Sequence, residues 1–357
     1  MDSIRHGIID QVRKGVVIPA SPLALTADRK FDEYRQRVLM RYYMDAGAGG
    51  IAVGVHFTQF EIRSPGIDLY EPVLKTCGEV IDNCCGSTGK TIIKLAGING
   101  KTMSALKQAE TAIRLGYDFG IVSLAAFQGA MEQEMLFHMK ELSKIIPLFG
   151  FYLLTGVGGV PLSYGFWREL VEMDNLYGIK IAPFNRYATL DVLRAVADAG
   201  MEHDITLYTG NDDSIIYDLV TPFTFSTPGG DKTLRIRGGL LGQWAIWTKK
   251  AVELLDEIHL LVDRGDPLPA ALLSRSAQLT DANAAIFDSA HQYAGSIPGV
   301  NEVLRRQGLF THTHTLKRDE VLMPGQAAEI ERVCQAYPHL TDDDFVKANL
   351  EKWLNDG

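Results

Sequence analysis

Cysteine is scarce in this 357-residue chain. Its four cysteines, Cys77, Cys84, Cys85 and Cys334, form no CxxC pair, and two of them are adjacent. That pattern excludes a disulfide framework and a zinc site of the usual ligand spacing, and it reads as four reduced thiols. Long apolar runs are missing too: none reaches the roughly 18 residues that a membrane span requires. Positive charge is in deficit, with 35 Lys and Arg against 44 Asp and Glu and a net charge of −9. Nucleic acid or an anionic membrane surface is therefore not expected as the main partner. The opening MDSIRHGIIDQVRKG has no apolar signal-peptide core and carries acidic residues, so a cytoplasmic protein is expected. No low-complexity linker and no solenoid-type repeat is present. No clear GxGxxG follows the first strand-like run, which weakens a dinucleotide-binding reading.

What is there is ordinary globular composition, 46% hydrophobic and 22% charged. The length allows two or three average domains, or one α/β barrel with additions. Short apolar runs alternate with longer amphipathic ones. The strand candidates are GVVIPA (15–20), GGIAVGV (49–55), TIIKLAG (91–97), FGIVSLA (119–125), LFGFYLL (148–154), LYGIKIA (176–182), ITLYTG (205–210) and LRIRGGLL (234–241). Helix candidates such as FDEYRQRVLMRYYMDAG and TLDVLRAVADAG lie between them and end at glycine, a common C-terminal stop. Eight strand–helix units predict an α/β fold of the (β/α)8 TIM-barrel type. A doubly wound open sheet is the alternative, because periodicity does not show closure. Pro228-Gly229-Gly230 between two alternating runs predicts a hairpin inserted before the last barrel strand. Residues 1–263 are expected to form the barrel with its lead-in, and 264–357 a C-terminal helical extension. The last helix, in LTDDDFVKANLEKWL, begins with a Thr or Asp cap candidate.

Several motifs carry little. CCGSTGKT (84–91) resembles a phosphate-binding loop, but Cys84 stands where that motif needs glycine, and a strand follows where a helix should. His312 and His314 share one face of an extended stretch without an acidic or cysteine ligand nearby, which favours loop histidines over half a metal site. The acidic triplet 342–344 reads as a charged helix start. GGLLG (238–242) suits either a phosphate cradle or close strand packing.

Lys180 is different, because it interrupts an otherwise apolar strand. A buried unpaired ammonium is costly. Either it snorkels to the surface, or its amine is neutral enough to attack a carbonyl.

Around Lys180 the chain resembles the dihydrodipicolinate synthase / N-acetylneuraminate lyase family of class I aldolases, from about residue 15 to about residue 310. GVVIPASPLALTADRKFDEYRQRV is similar to the family's opening strand, turn (here Ser21-Pro22) and first helix. GAGGIAVGVHFTQFEI sits where the family has its Gly-Thr-Thr-Gly-Glu loop. FYLLTGVGGVPLS resembles the Tyr-Asn-x-Pro-x-x-Thr-Gly segment, and LYGIKIAP the Gly-Ile-Lys strand, with 28 positions from Tyr152 to Lys180. SIPGVNEVLRRQGL is similar to the family's C-terminal Ile-Pro-Val-Lys segment. The resemblance implies a Schiff-base lyase or aldolase. Lys180 forms the iminium with pyruvate or another 2-oxo acid, and Tyr152 shuttles protons beside it. Gly54, Val55, His56, Gly210 and Leu241 are the substrate-binding candidates. No cofactor and no metal is expected. The partners implied are a 2-oxo acid, an aldehyde and further copies of the chain in a tetramer or dimer.

The departures are as informative. Val55 and His56 replace the two loop threonines, Ala125 and Ala126 stand where a second relay tyrosine is found, and Val157 falls where dihydrodipicolinate synthases hold a carboxylate with arginine. The chemical class is retained and that particular substrate is not. Three readings follow: a lyase or aldolase, a dehydratase or hydratase using the same iminium, and a non-catalytic barrel that binds a carbonyl metabolite.

Overall fold

The computed structural model describes residues 2–355. In chain order the elements begin α1 (Asp2–Lys14), β1 (Val17–Pro19), α2 (Glu33–Ala46), β2 (Gly50–Val53), α3 (Tyr70–Thr88), β3 (Ile93–Ile98) and α4 (Thr102–Arg114). They continue with β4 (Phe119–Val122), α5 (Glu132–Ser143), β5 (Leu148–Leu153), α6 (Tyr164–Leu170), β6 (Leu176–Ala182) and α7 (Arg186–Ala199). Next come β7 (Thr206–Thr209), α8 (Ile215–Val220), β8 (Phe223–Thr227), β9 (Gly230–Leu234) and β10 (Ile236–Leu241). The chain closes with α9 (Thr248–Arg264), α10 (Ala270–Ile286), α11 (Ser296–Arg306), α12 (Gln326–Ala336) and α13 (Asp343–Asn355).

The fold is a (β/α)8 barrel with a C-terminal helical part, and its sheet has eight strands. The chain forms two compact units, residues 1–16 with 93–240, and residues 17–92 with 241–357. The barrel boundary expected after residue 263 falls at the last turn of α9.

In the first unit, β3, β4, β5, β6, β7 and β10 follow one another as parallel neighbours. Their residues are almost all buried. Parallel strands covered on both faces read as continuous apolar runs, which is why the sequence displays them. The helices between them are bounded by local chemistry. The Asn185 Oδ1 accepts the Tyr187 and Ala188 N–H groups at the start of α7, and left-handed Gly200 stops that helix. The Pro-Gly-Gly hairpin is present as β8 paired antiparallel with β9, closing with Thr227 opposite Gly230.

In the second unit, β1 and β2 lie side by side through the Ala20–Ala52 bridge and a Ser21 N–H to Ala52 carbonyl bond of 2.9 Å. The CCGSTGKT stretch is the C-terminal end of α3, stopped by left-handed Gly89, where the helix presents carbonyls rather than the N–H groups a phosphate requires. Asp342 does not spend its side chain on its own helix. Its carboxylate accepts the Tyr42 hydroxyl (2.8 Å) and the Lys249 N–H (3.1 Å), so it caps α9 instead. Trp353 Nε1 donates to Asp45 at 2.8 Å, and its ring meets Tyr42 at 5.6 Å, seating α13 on α2. His312 and His314 stack with centroids 4.9 Å apart. Among the described residues, no three metal-ligating side chains converge, the four cysteines are free, and no helix is long and apolar enough to cross a membrane.

Candidate functional site

Lys180 is the fifth residue of β6 and is 7% exposed. Strand alternation divides the first unit's sheet into two faces. On the face turned toward the helices, a Cβ on Gly150 would touch Ile179, Leu170 and Trp167 at 3.5–3.7 Å. On the other face, a Cβ on Gly178 would strike the Phe149 ring at 2.5 Å, and Phe149 packs on Tyr208 with centroids 5.7 Å apart. Lys180 belongs to this second face, two residues beyond Gly178. It stands between its register partners Phe151 on β5 and Tyr208 on β7.

The surroundings of the amine are apolar. Nζ lies 4.4 Å from the Phe151 ring centroid. Burial pulls the Lys180 pKa from 10.5 down to about 8, with the Asp212 carboxylate acting in the opposite direction. Gly210 is the residue that makes room: a Cβ there would fall 2.6 Å from Lys180 Cε and 2.7 Å from Ala182 Cβ. The structure thus brings Gly210 against the lysine stem, where it clears space for the side chain.

The loop after β7 is held from behind. Asn211, fully buried, accepts the Phe184 N–H at 3.0 Å and donates to Asp218 at 3.0 Å. Asp218 also accepts the Thr209 hydroxyl at 2.6 Å and pairs with Arg186. This network fixes the segment that carries Asp212, itself only 7% exposed.

Tyr152 is the fifth residue of β5. The sequence spacing sets it beside Lys180, but its register partner is Ile181, so it stands on the helix side of the sheet. Its ring packs on Trp167 of α6 at 5.2 Å. Its hydroxyl donates to the Leu162 carbonyl and accepts the Leu162 N–H, both at 3.2 Å. Phe151 occupies the place beside the amine. The charges that help raise the Tyr152 pKa after burial, Asp191 and Glu132, belong to the helix layer.

Gly54, Val55, His56 and Leu241 belong to the second unit. Gly54 is left-handed (φ 78°). Its N–H donates to Thr58 Oγ1 at 2.9 Å and its carbonyl accepts Arg63 Nη2 at 2.8 Å, so this N–H is committed rather than offered to a carboxylate. Burial lowers the Arg63 pKa to about 10, and its guanidinium lies over the Tyr70 ring at 4.5 Å. Val55 is buried. The His56 ring meets Phe57 and Phe60 edge-on at 5.4 and 6.0 Å. Leu241 is fully buried, and its carbonyl accepts the Ala20 N–H at 3.2 Å, which makes it a strand-pairing position.

Sequence reasoning passed over Phe151 and Asp212. For Asp212 a signal existed: TGNDDS places an acidic pair just past a barrel strand's C-terminal end, where such folds carry their chemistry.

The class defined by this fold and side chain is a (β/α)8 barrel with a desolvated lysine in its sixth strand. No family model matches the sequence, and no curated protein matches it. Solved structures do. The E. coli K12 prophage protein YagE belongs to the dihydrodipicolinic acid synthase family and was solved with pyruvate. It is 17% identical over 90% of this chain and 98% of its own, with a TM-score of 0.72. The dihydrodipicolinate synthase of Aquifex aeolicus is 15% identical, covering 92% and 99%, with a TM-score of 0.70. The N-acetylneuraminate lyase of Mycoplasma synoviae is 15% identical, covering 90% and 98%, with a TM-score of 0.67. These likenesses establish the fold.

Proposed function

We propose that this chain is a divergent relative of those enzymes: a Schiff-base-forming lyase or aldolase acting on pyruvate or a related 2-oxo acid, with Lys180 as the nucleophile. The observation that carries the reading is the buried amine, whose pKa is lowered to about 8 among apolar groups. In the proposed step the Nζ lone pair forms a bond to the keto carbon. The carbonyl oxygen takes up protons and leaves as water. The resulting iminium accepts the electron pair of a nearby C–C bond in aldol cleavage, giving an enamine and an aldehyde; in dehydration it accepts the pair of an adjacent C–H bond, and the enamine so formed expels a hydroxyl that leaves with a proton as water. Product analysis distinguishes the aldolase from the dehydratase or hydratase. The face of Phe151 favours the cationic iminium. Proton transfer is assigned to Asp212, whose field reaches the amine, rather than to Tyr152, which faces the helices. The pyruvate bound to YagE supports the substrate class.

The chain is not expected to work as a dihydrodipicolinate synthase. Val157 offers no cation to the carboxylate of aspartate semialdehyde, and Arg63 and Arg186 are committed to Gly54 and Asp218. A cytoplasmic dimer or tetramer goes with this reading, and sedimentation measures the assembly. A second reading, a barrel that binds a carbonyl metabolite without turnover, is favoured by Phe151 standing where a tyrosine was expected.

The test is borohydride reduction in the presence of pyruvate, followed by intact mass and peptide mapping. A stable adduct is expected at Lys180 and none in Lys180→Ala. An adduct at another lysine would falsify the assignment of the nucleophile, and tight binding of pyruvate without an adduct would favour the second reading.

A further inference from the structure

The first unit carries a cleft of about 460 Å3 at the N-terminal ends of β7 and β10, lined by Arg13, Arg235, Arg237, His203 and the apolar Ile205 and Leu234. Three guanidinium groups gather there in a chain of net charge −9. The carboxylate in the lining, Glu202, is already paired with Lys232 of the hairpin. The gathering is built into the backbone. Arg235 and Arg237 flank buried Ile236 at the start of β10, and both line the cleft. Arg235 is braced by the Val220 carbonyl at 3.1 Å. Arg13 comes from the last turn of α1, and left-handed Gly15, just past that helix, lies against β10: a Cβ there would fall 2.1 Å from the Arg237 carbonyl oxygen. Tyr208 Oη ties α1 down through the Val12 carbonyl at 2.9 Å.

Guanidinium forks match the oxygens of phosphate and carboxylate groups. The volume falls in the range of roughly 300–1,000 Å3 typical of small-molecule sites, more than a bare ion needs. We propose that this cleft binds a small organic oxyanion, its phosphate or carboxylate held by Arg13, Arg235 and Arg237 and its carbon body against Ile205 and Leu234. The site uses the N-terminal ends of the strands, whereas Lys180 lies toward the C-terminal end of β6. It does not depend on the proposed Schiff-base chemistry.

The test is isothermal titration of the intact protein with pyrophosphate and separately with citrate, each against sodium chloride at matched ionic strength. Saturable binding of at least one is expected, weakened about tenfold or more by Arg237→Gln or by Arg13→Gln, the scale of one charge-assisted contact. The tighter of the two anions identifies the phosphate or the carboxylate source. Arg13 sits on an exposed helix end, so that variant remains informative if Arg237→Gln folds poorly. Heats no larger than the salt control, or affinities unchanged in both variants, overturn the proposal. Adduct formation at Lys180 is a separate readout, so each idea fails on its own measurement.

Discussion

The perturbation that tests the buried amine most directly is pH. Burial lowers the Lys180 pKa from 10.5 to about 8, the Asp212 charge opposing the shift. At pH 7 an amine of pKa 10.5 is about 0.03% neutral, whereas one of pKa 8 is about 9% neutral, roughly 300-fold more nucleophile. The second-order rate of pyruvate adduct formation, trapped by borohydride and read by mass, should climb about tenfold per pH unit below pH 8 and then flatten. Asp212→Asn supplies the sign control. Removing a carboxylate that favours the ammonium should lower the Lys180 pKa further and move the plateau to lower pH. A rate that keeps climbing through pH 10 would mean that the amine is solvated and that the apolar setting around Phe151 does not act on it. A plateau that moves upward in Asp212→Asn would refute the assigned electrostatics while leaving the nucleophile in place.

Two further outcomes follow from the geometry. Tyr152→Phe removes a hydroxyl bonded to the Leu162 backbone at 3.2 Å, so it should cost about 1 kcal/mol of stability in denaturant unfolding. It should leave the trapping rate within a few-fold; a loss of roughly 10²–10⁴-fold, the range of a general acid–base group, would return the proton shuttle to Tyr152. Gly210→Ala adds a methyl 2.6 Å from Lys180 Cε and 2.7 Å from Ala182 Cβ. It should destabilise by about 1–3 kcal/mol through overpacking and slow adduct formation; wild-type stability and rate together would show that Gly210 does not set the lysine's position.

The sequence makes the eight barrel strands visible because buried parallel strands leave unbroken apolar runs. LYGIKIA coincides with β6 to the residue, whereas FGIVSLA runs three residues beyond β4, which ends at Val122. The same continuity hides which residues face which side. In GFYLL, Phe151 and Tyr152 are adjacent, both large and both buried. A strand covered on both faces has no alternation to tell them apart, and a one-residue difference in parity exchanges their faces. The choice is made by register, through Phe151 opposite Lys180, and by packing, through Gly150 and Tyr152 against the α6 tryptophan. Neither is written in local sequence, so an interval of 28 positions matches a family pattern while the hydroxyl points away from the amine.

Lys94 shows what position along a strand adds. TIIKLAG and LYGIKIA both carry a lysine within an apolar run, and both lysines are 7% exposed. Lys94 is the second residue of β3. Its N–H donates to Asp118 at 2.8 Å, and its Nζ lies 5.9 Å from the Tyr117 ring centroid, so it sits at the beginning of the strand among residues of the loop that leads into β4. Lys180 is the fifth residue of β6, near the C-terminal strand end, beside Phe151 and under the influence of Asp212. Equal burial therefore accompanies two environments. In a barrel whose chemistry belongs at the C-terminal strand ends, the later lysine is the one a carbonyl substrate would meet. Trapping with pyruvate should accordingly leave Lys94 unmodified in the same sample that labels Lys180; labelling of both would show that burial alone, and not position in the barrel, selects the reactive amine.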